Sequence, residues 1–268
     1  MQKKAVQAAV VALLAHGAVQ GAPLATGSSP DGSITVNVDL DSDGRAHYSI
    51  SRKGKLLIAP SKLGFILTDS YDMVRGFKFE SAETKPTVDE KWEQPWGERR
   101  FVRNHHNDLI VRFRQPTYLK RAMNVRFRIF DNGVGFRYEI PEQENLKTMK
   151  IADEMTEFSI ASPGTAWWIT GGEWNRYEQV YQKTPIDSVS TAHTPITMRL
   201  DDGTHLSFHE AALVDYSAFW FKRGEKQTFR TMLSPSSQGP RVIRETPFAT
   251  PWRAIRIGDN AASLVEND

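Results

Sequence analysis

The sequence predicts an all-β fold, a large antiparallel β-sandwich, and three observations carry that prediction. Apolar and polar residues alternate with period 2 over many short segments, the pattern of strands with one buried face. Turn clusters of Gly, Asp, Asn and Pro separate those segments. Long helical periodicity is scarce after the first residues of the chain. A closed barrel is the alternative closure of the same strands.

Taken in order, Ile34, Val36, Val38 and Leu40 alternate with polar neighbours until Asp41-Ser42-Asp43-Gly44 breaks the run. Tyr48 and Ile50 resume it, and Lys53-Gly54 before Leu56 to Ile58 reads as a hairpin turn. Leu109, Val111 and Phe113 mark a further strand ended by Pro116. Val125, Phe127 and Ile129 pair by pattern with Val134, Phe136, Tyr138 and Ile140. The turn between them, Asp131-Asn132-Gly133, contains residues tolerant of positive φ. Ile196 to Leu200 and Leu206 to Phe208 flank Asp201-Asp202-Gly203 as another hairpin. Gln227 to Leu233 and Arg253 to Ile257 read as late strands, and Asn260 to Asp268 as a strand exit or tail.

Composition narrows the function classes. With 268 residues, 40% of them hydrophobic and 25% charged, the chain is long and apolar enough to bury one large core. A formal net charge of +2 and scattered arginines leave no field that would draw nucleic acid or anionic lipid. The absence of Cys removes disulfides, thiol nucleophiles and Cys-based zinc sites.

The first residues have the order of a secretory signal peptide. Lys3 and Lys4 precede the apolar run Ala5 to Ala15, and small residues follow at Gly17, Ala18, Gly21 and Ala22. The run is shorter than the roughly 20 residues that span a bilayer. The chain is therefore expected to divide into a leader, residues 1–22, and one mature domain, residues 23–268. A periplasmic or secreted location follows.

Several motifs invite chemistry and most decline it. His209-Glu210 lacks the second His of a zinc-protease helix, since position 213 is Leu213. His105 and His106 are adjacent on a strand, so their rings face opposite sides and cannot readily share one ion. They read as strand-end polar residues. Gly133-Val134-Gly135 lacks the third Gly and the helix of a dinucleotide fingerprint. Trp92, Trp96, Trp167, Trp168 and Trp174 lie in loop-like or strand-end sequence, where exposed rings can serve as sugar platforms and buried ones fill the core. Gly171-Gly172-Glu173-Trp174-Asn175-Arg176-Tyr177-Glu178-Gln179-Val180-Tyr181 is a Gly-opened loop with two carboxylates and several aromatics. Calcium takes six to eight oxygen ligands, more than one short loop supplies.

Longer stretches resemble a known family. They are Trp92-Glu93-Gln94-Pro95-Trp96-Gly97-Glu98, Arg103-Asn104-His105, Phe127 to Glu139, and His209-Glu210-Ala211-Ala212-Leu213-Val214-Asp215-Tyr216. Ser29-Pro30-Asp31-Gly32 and Thr250-Pro251-Trp252-Arg253 add to them. In this order, over essentially the whole mature chain, they resemble the amino-terminal domain of glycoside hydrolase family 97. The resemblance implies a sandwich of the galactose-mutarotase-like supersandwich type. It also implies a multidomain exported α-glucosidase or α-galactosidase whose sandwich packs on a (β/α)₈ barrel bearing the catalytic carboxylates. No catalytic residue is then expected in this chain, which is read as truncated before its barrel. Glu178 is the residue implied as a calcium ligand shared with barrel glutamates. Glu173 and Trp174 are the expected substrate-binding residues, and α-linked glucose or galactose oligosaccharides the expected ligands. A stand-alone carbohydrate-binding or barrel-docking module without calcium is the alternative.

Overall fold

A computed structural model describes residues 22–116, 118–173, 175–237 and 239–267. Among them are two large antiparallel sheets and one small one. The eight-stranded sheet runs, edge to edge, through Ala25–Ser28, Ile34–Leu40, Ala46–Arg52, Lys55–Lys62, Glu157–Ile160, Thr228–Leu233, Phe219–Arg223 and Thr191–Ala192. The ten-stranded sheet runs through Gln182–Pro185, Gly164–Trp168, Ile196–Leu200, His205–Ala211, Trp252–Gly258, Gly133–Ile140, Ala122–Phe130, Phe101–Arg114 and Lys78–Glu93. Phe248–Ala249 also pairs with Gly133–Ile140. Val242–Glu245, Thr148–Glu154 and Phe65–Leu67 form the third sheet.

Alternation decides which faces meet. Val36, Val38, Tyr48 and Ile50 from one large sheet, and Val125, Phe127, Phe136 and Tyr138 from the other, are all fully buried. Tyr48 reaches across the sandwich to Phe136 (ring centroids 4.8 Å) and Phe127 (6.0 Å). Phe158, Phe208 and Phe221 continue the aromatic core at centroid distances of 5.0–5.6 Å. Each such ring contributes about 1.5–3 kcal/mol by leaving water. The sandwich expectation holds.

The hairpin turns hold with one change of mechanism. Lys53 and Gly54 both have positive φ, +50° and +77°, as a two-residue turn of this hand demands. By contrast, none of Asp131, Asn132 and Gly133 takes positive φ. Gly133 is instead required by close approach, because a Cβ there would sit 2.6 Å from the Ile255 carbonyl oxygen of the neighbouring strand.

Two segments differ from their sequence reading. Residues 260–267 carry a short helix, Ala261–Val265, in place of a strand exit or tail. Asn260 caps it by accepting from the Ser263 N–H (2.9 Å) while the Ser263 hydroxyl answers the Asn260 backbone. The 16-residue strand Lys78–Glu93 was not visible in the sequence because Pro86 interrupts a largely polar run. It lies at the edge of the ten-stranded sheet, and its register shifts between Lys85 and Val88, so the missing Pro86 N–H falls at a bulge. No helix among the described residues is long and apolar enough to cross a membrane. The expected leader falls outside the described residues, except for Ala22.

Candidate functional site

The Gly-opened loop leaves the end of Gly164–Trp168 and returns into Gln182–Pro185, the edge strand of the ten-stranded sheet that pairs with it. Both glycines at its entry are needed. A Cβ on Gly171 would lie 2.9 Å from both the Ala192 carbonyl carbon and Trp220 Cδ1, and Gly172 has φ +106°. The Gly171 N–H donates to the Thr191 carbonyl (3.0 Å), and the His193 N–H donates to the Ile169 carbonyl (3.0 Å). The loop is thus stitched to the segment that precedes Ile196–Leu200.

One aromatic stack anchors its middle. The Tyr177 hydroxyl donates to the Thr194 carbonyl (2.8 Å), and its ring lies 4.5 Å from the His193 ring. His193 is buried and its Nδ1 accepts from the indole N–H of buried Trp220 (3.1 Å). That hydrogen bond requires an unprotonated Nδ1, and burial lowers the His193 pKa in the same sense. Tyr177 itself is 53% exposed, so it joins a buried pair to a surface loop.

Glu178, the next residue, is exposed and makes no hydrogen bond or ion pair with any described residue. Glu173 is exposed near the loop entry. Trp174, expected to touch sugar, lies outside the described residues. Among the described residues no group of three or more His, Asp or Glu side chains is placed to hold a metal ion. An exposed carboxylate such as Glu178 offers at most two hard oxygen donors, fewer than the six to eight that calcium takes.

The other sequence candidates divide by burial. Trp168 is in the core, and its indole N–H donates to the Thr184 hydroxyl (3.0 Å). Trp167 is half-buried beneath the Lys183 ammonium. Trp92 and Trp96 are 49% and 82% exposed. His105 and His106 sit inside the Phe101–Arg114 strand, not at its end, and on opposite faces. His105 Nδ1 lies 3.2 Å from the Asp131 carboxylate, whereas His106 is buried against Phe130 with its Nδ1 2.8 Å from Asn104 Oδ1.

Comparison with known proteins places the fold. The sequence profile described as Glycosyl-hydrolase 97 N-terminal matches residues 28–268. The chain belongs to this family. A family 97 enzyme from Pseudoalteromonas sp. strain K8, solved in complex with panose and with acarbose, superposes with a TM-score of 0.86 at 42% identity. That match covers 90% of this chain and 36% of the enzyme. The retaining α-galactosidase of Bacteroides thetaiotaomicron is 22% identical over 211 residues, 74% of this chain and 30% of that protein. A β-arabinopyranosidase shares the fold, with a TM-score of 0.79 at 22% identity. The chain spans about a third of the length of these relatives.

Two of the stretches that resemble family 97 turn out to build the interior of this family 97 domain. Arg253, fully buried, donates through Nε and Nη2 to the two Glu154 carboxylate oxygens (2.9 and 2.6 Å). Its Nη1 donates to Glu210 (2.8 Å). Glu154 also accepts from the Thr156 hydroxyl (2.6 Å) and the Tyr216 hydroxyl (3.1 Å). Glu210 and Arg253 are register partners on adjacent strands, while Glu154 comes from the three-stranded sheet. Paired carboxylates 0% and 9% exposed and clamped by a guanidinium serve the architecture of the family 97 domain. Sequence reasoning passed over Glu154, whose only signal was a charge at the end of the apolar run Met149, Ile151.

Proposed function

We propose that this chain is the non-catalytic, amino-terminal sandwich module of an exported family 97 α-glycosidase. In that role it packs on a catalytic barrel, forms part of the carbohydrate site and lends Glu178 to a shared calcium site. The observation that carries this reading is an exposed carboxylate, without a partner among the described residues, held next to an anchored tyrosine. The Tyr177 contact fastens the middle of the exposed loop to His193, which is itself fixed by the buried Trp220 hydrogen bond. Such pre-organisation has a use when the loop must present a ligand in a defined place.

Calcium, when bound, would supply positive charge beside the sugar. The chain's own share is positional: Tyr177 holds the loop against His193 and Thr194, and Glu178 offers its oxygens outward from that anchor. Glu173, exposed near the loop entry, and Trp174 are assigned to sugar binding. Hydrolysis of a glycosidic bond needs two carboxylates flanking the scissile atoms. The barrel is proposed to hold both, and α-linked glucose or galactose oligosaccharides are the proposed substrates.

The test uses the chain alone with an aryl α-glucoside and an aryl α-galactoside, followed by thermal melting with added calcium. No turnover is expected, and no protection of the melt at micromolar calcium, because one or two carboxylates leave most of the coordination to water. Turnover abolished by Glu178→Gln, or full protection at micromolar calcium, would overturn the proposal.

A further inference from the structure

The hairpin formed by Lys78–Glu93 and Phe101–Arg114 is longer than the sheet it borders. From residue 85 to residue 104 no residue is buried, on either face. Its ladder nevertheless continues in register from Val88↔His106 to Glu93↔Phe101. Cross-strand ion pairs brace it: Arg103 donates to both Asp89 oxygens (2.8 and 2.9 Å), and Arg100 donates to Glu93 (2.7 Å). Two-stranded ribbons in water are marginal without a surface to cover them.

The aromatic residues on this ribbon are placed for enclosure. Trp92 and its register partner Val102 share one face, while Phe101 lies on the other with the Lys91 ammonium 4.4 Å from its centroid. Trp96, at the tip, is 82% exposed, and Phe101 is 45% exposed. Charges along the arm are largely balanced by neighbours of opposite sign, so apolar area and not net charge is what it offers. The tip also reaches the final helix: the Arg99 guanidinium donates to the Glu266 carbonyl (2.9 Å).

We propose that residues 85–104 are an arm enclosed by the catalytic domain that follows this module in family 97 enzymes, with Trp96, Trp92 and Phe101 as its anchors. The inference rests on the reading of the chain as such a module. Aromatic anchors on both faces and the tip call for a partner that wraps the ribbon; the chain matches the amino-terminal domain of enzymes of which it spans about a third, so the portion that follows in those enzymes is the occupant. Buried Trp residues are typical anchors of such interfaces.

The test compares trypsin cleavage at Lys91, Arg99 and Arg100 in two proteins. One is the full chain alone; the other is the chain joined to the remaining two-thirds of the Pseudoalteromonas enzyme in place of its own first third. Cleavage in the arm is expected to be at least tenfold slower in the joined protein, and Trp96→Ala, a surface change, is expected to restore most of it. Equal rates in the two proteins, or protection untouched by Trp96→Ala and by Phe101→Ala, would overturn the proposal. Two results with the chain alone would also overturn it. Protection that grows with protein concentration would assign the arm to a second copy, and protection by maltooligosaccharides would assign it to sugar. The readout needs neither calcium nor hydrolysis, so a failure of the Glu178 assignment leaves it standing.

Discussion

Arg253 and Glu154 face each other through two hydrogen bonds, 2.9 and 2.6 Å long, with both side chains completely shielded from solvent. Burial opposes the charge on Arg253, and the Glu154 carboxylate more than offsets it, pushing the guanidinium pKa up. The pair ties the three-stranded sheet to the ten-stranded one. Removing one partner leaves an unpaired buried charge, so Arg253→Met is expected to cost about 3–5 kcal/mol. Urea unfolding measures it. Arg253→Met combined with Glu154→Leu is expected to recover part of that loss; a double variant as unstable as the sum of the singles would contradict the pairing.

Two buried histidines, His106 and His193, and the partly buried His209 are expected to make the fold acid-sensitive. Burial lowers the pKa of His106, His193 and His209; the Arg128 charge adds to the effect at His106, and the Arg256 charge at His209. Each therefore favours its neutral form in the folded state. Their contribution is present above the unfolded value near 6.5 and is lost as pH falls through the lower folded values. The urea midpoint is expected to drop between pH 7.5 and pH 5.5. A midpoint that stayed constant or rose over that interval would contradict the neutral assignment.

Asp31 acts in a more acidic window. Burial pushes its pKa up, but hydrogen bonds from the Ser29 hydroxyl (2.6 Å) and the Ser33 N–H (2.8 Å) outweigh this and hold it at about 2. Its own N–H donates to Asp131 (2.9 Å), joining the first turn to the Ala122–Ile140 hairpin. The stability it contributes is present above about 4, the unfolded value, and fades toward pH 2. Asp31→Asn is expected to lower Tm at pH 6 and to leave it nearly unchanged at pH 2. An equal Tm difference at both pH values would refute the charge-based account.

Tyr177→Phe keeps the ring against His193 and deletes the bond to the Thr194 carbonyl. Its global cost is expected to stay within about 0.5–1.5 kcal/mol, the net worth of one hydrogen bond. Amide hydrogen exchange across residues 175–181 is expected to accelerate several-fold, while exchange in the core strand Gly133–Ile140 stays unchanged. Uniform acceleration would mean that the tyrosine supports the whole sandwich and not its loop.

Much of this was legible from the residues, and the exceptions have physical reasons. Val36, Tyr48, Phe127 and Phe136 show their buried face because alternation records a one-sided environment. Lys78–Glu93 does not: in the arm both faces meet solvent, so no alternation is written there, and Pro86 hides the bulge. The capping of Ala261–Val265 by Asn260 involves too few residues to show a period. Glu178 could be named only through family resemblance, since a single exposed carboxylate carries no spacing signal. Its anchoring depends on His193 and Trp220, which are 15 and 42 positions further along the chain. Contacts at that separation leave no local pattern.

The calcium dependence of the joined enzyme tests the central claim most directly. Aryl α-glycoside hydrolysis would be followed against free calcium for the chain fused to the Pseudoalteromonas catalytic portion, with and without Glu178→Gln. The account predicts that Glu178→Gln raises the calcium concentration for half-maximal activity at least tenfold, while Glu173→Gln leaves it within about twofold. Superimposable calcium curves for the parent and Glu178→Gln would contradict it.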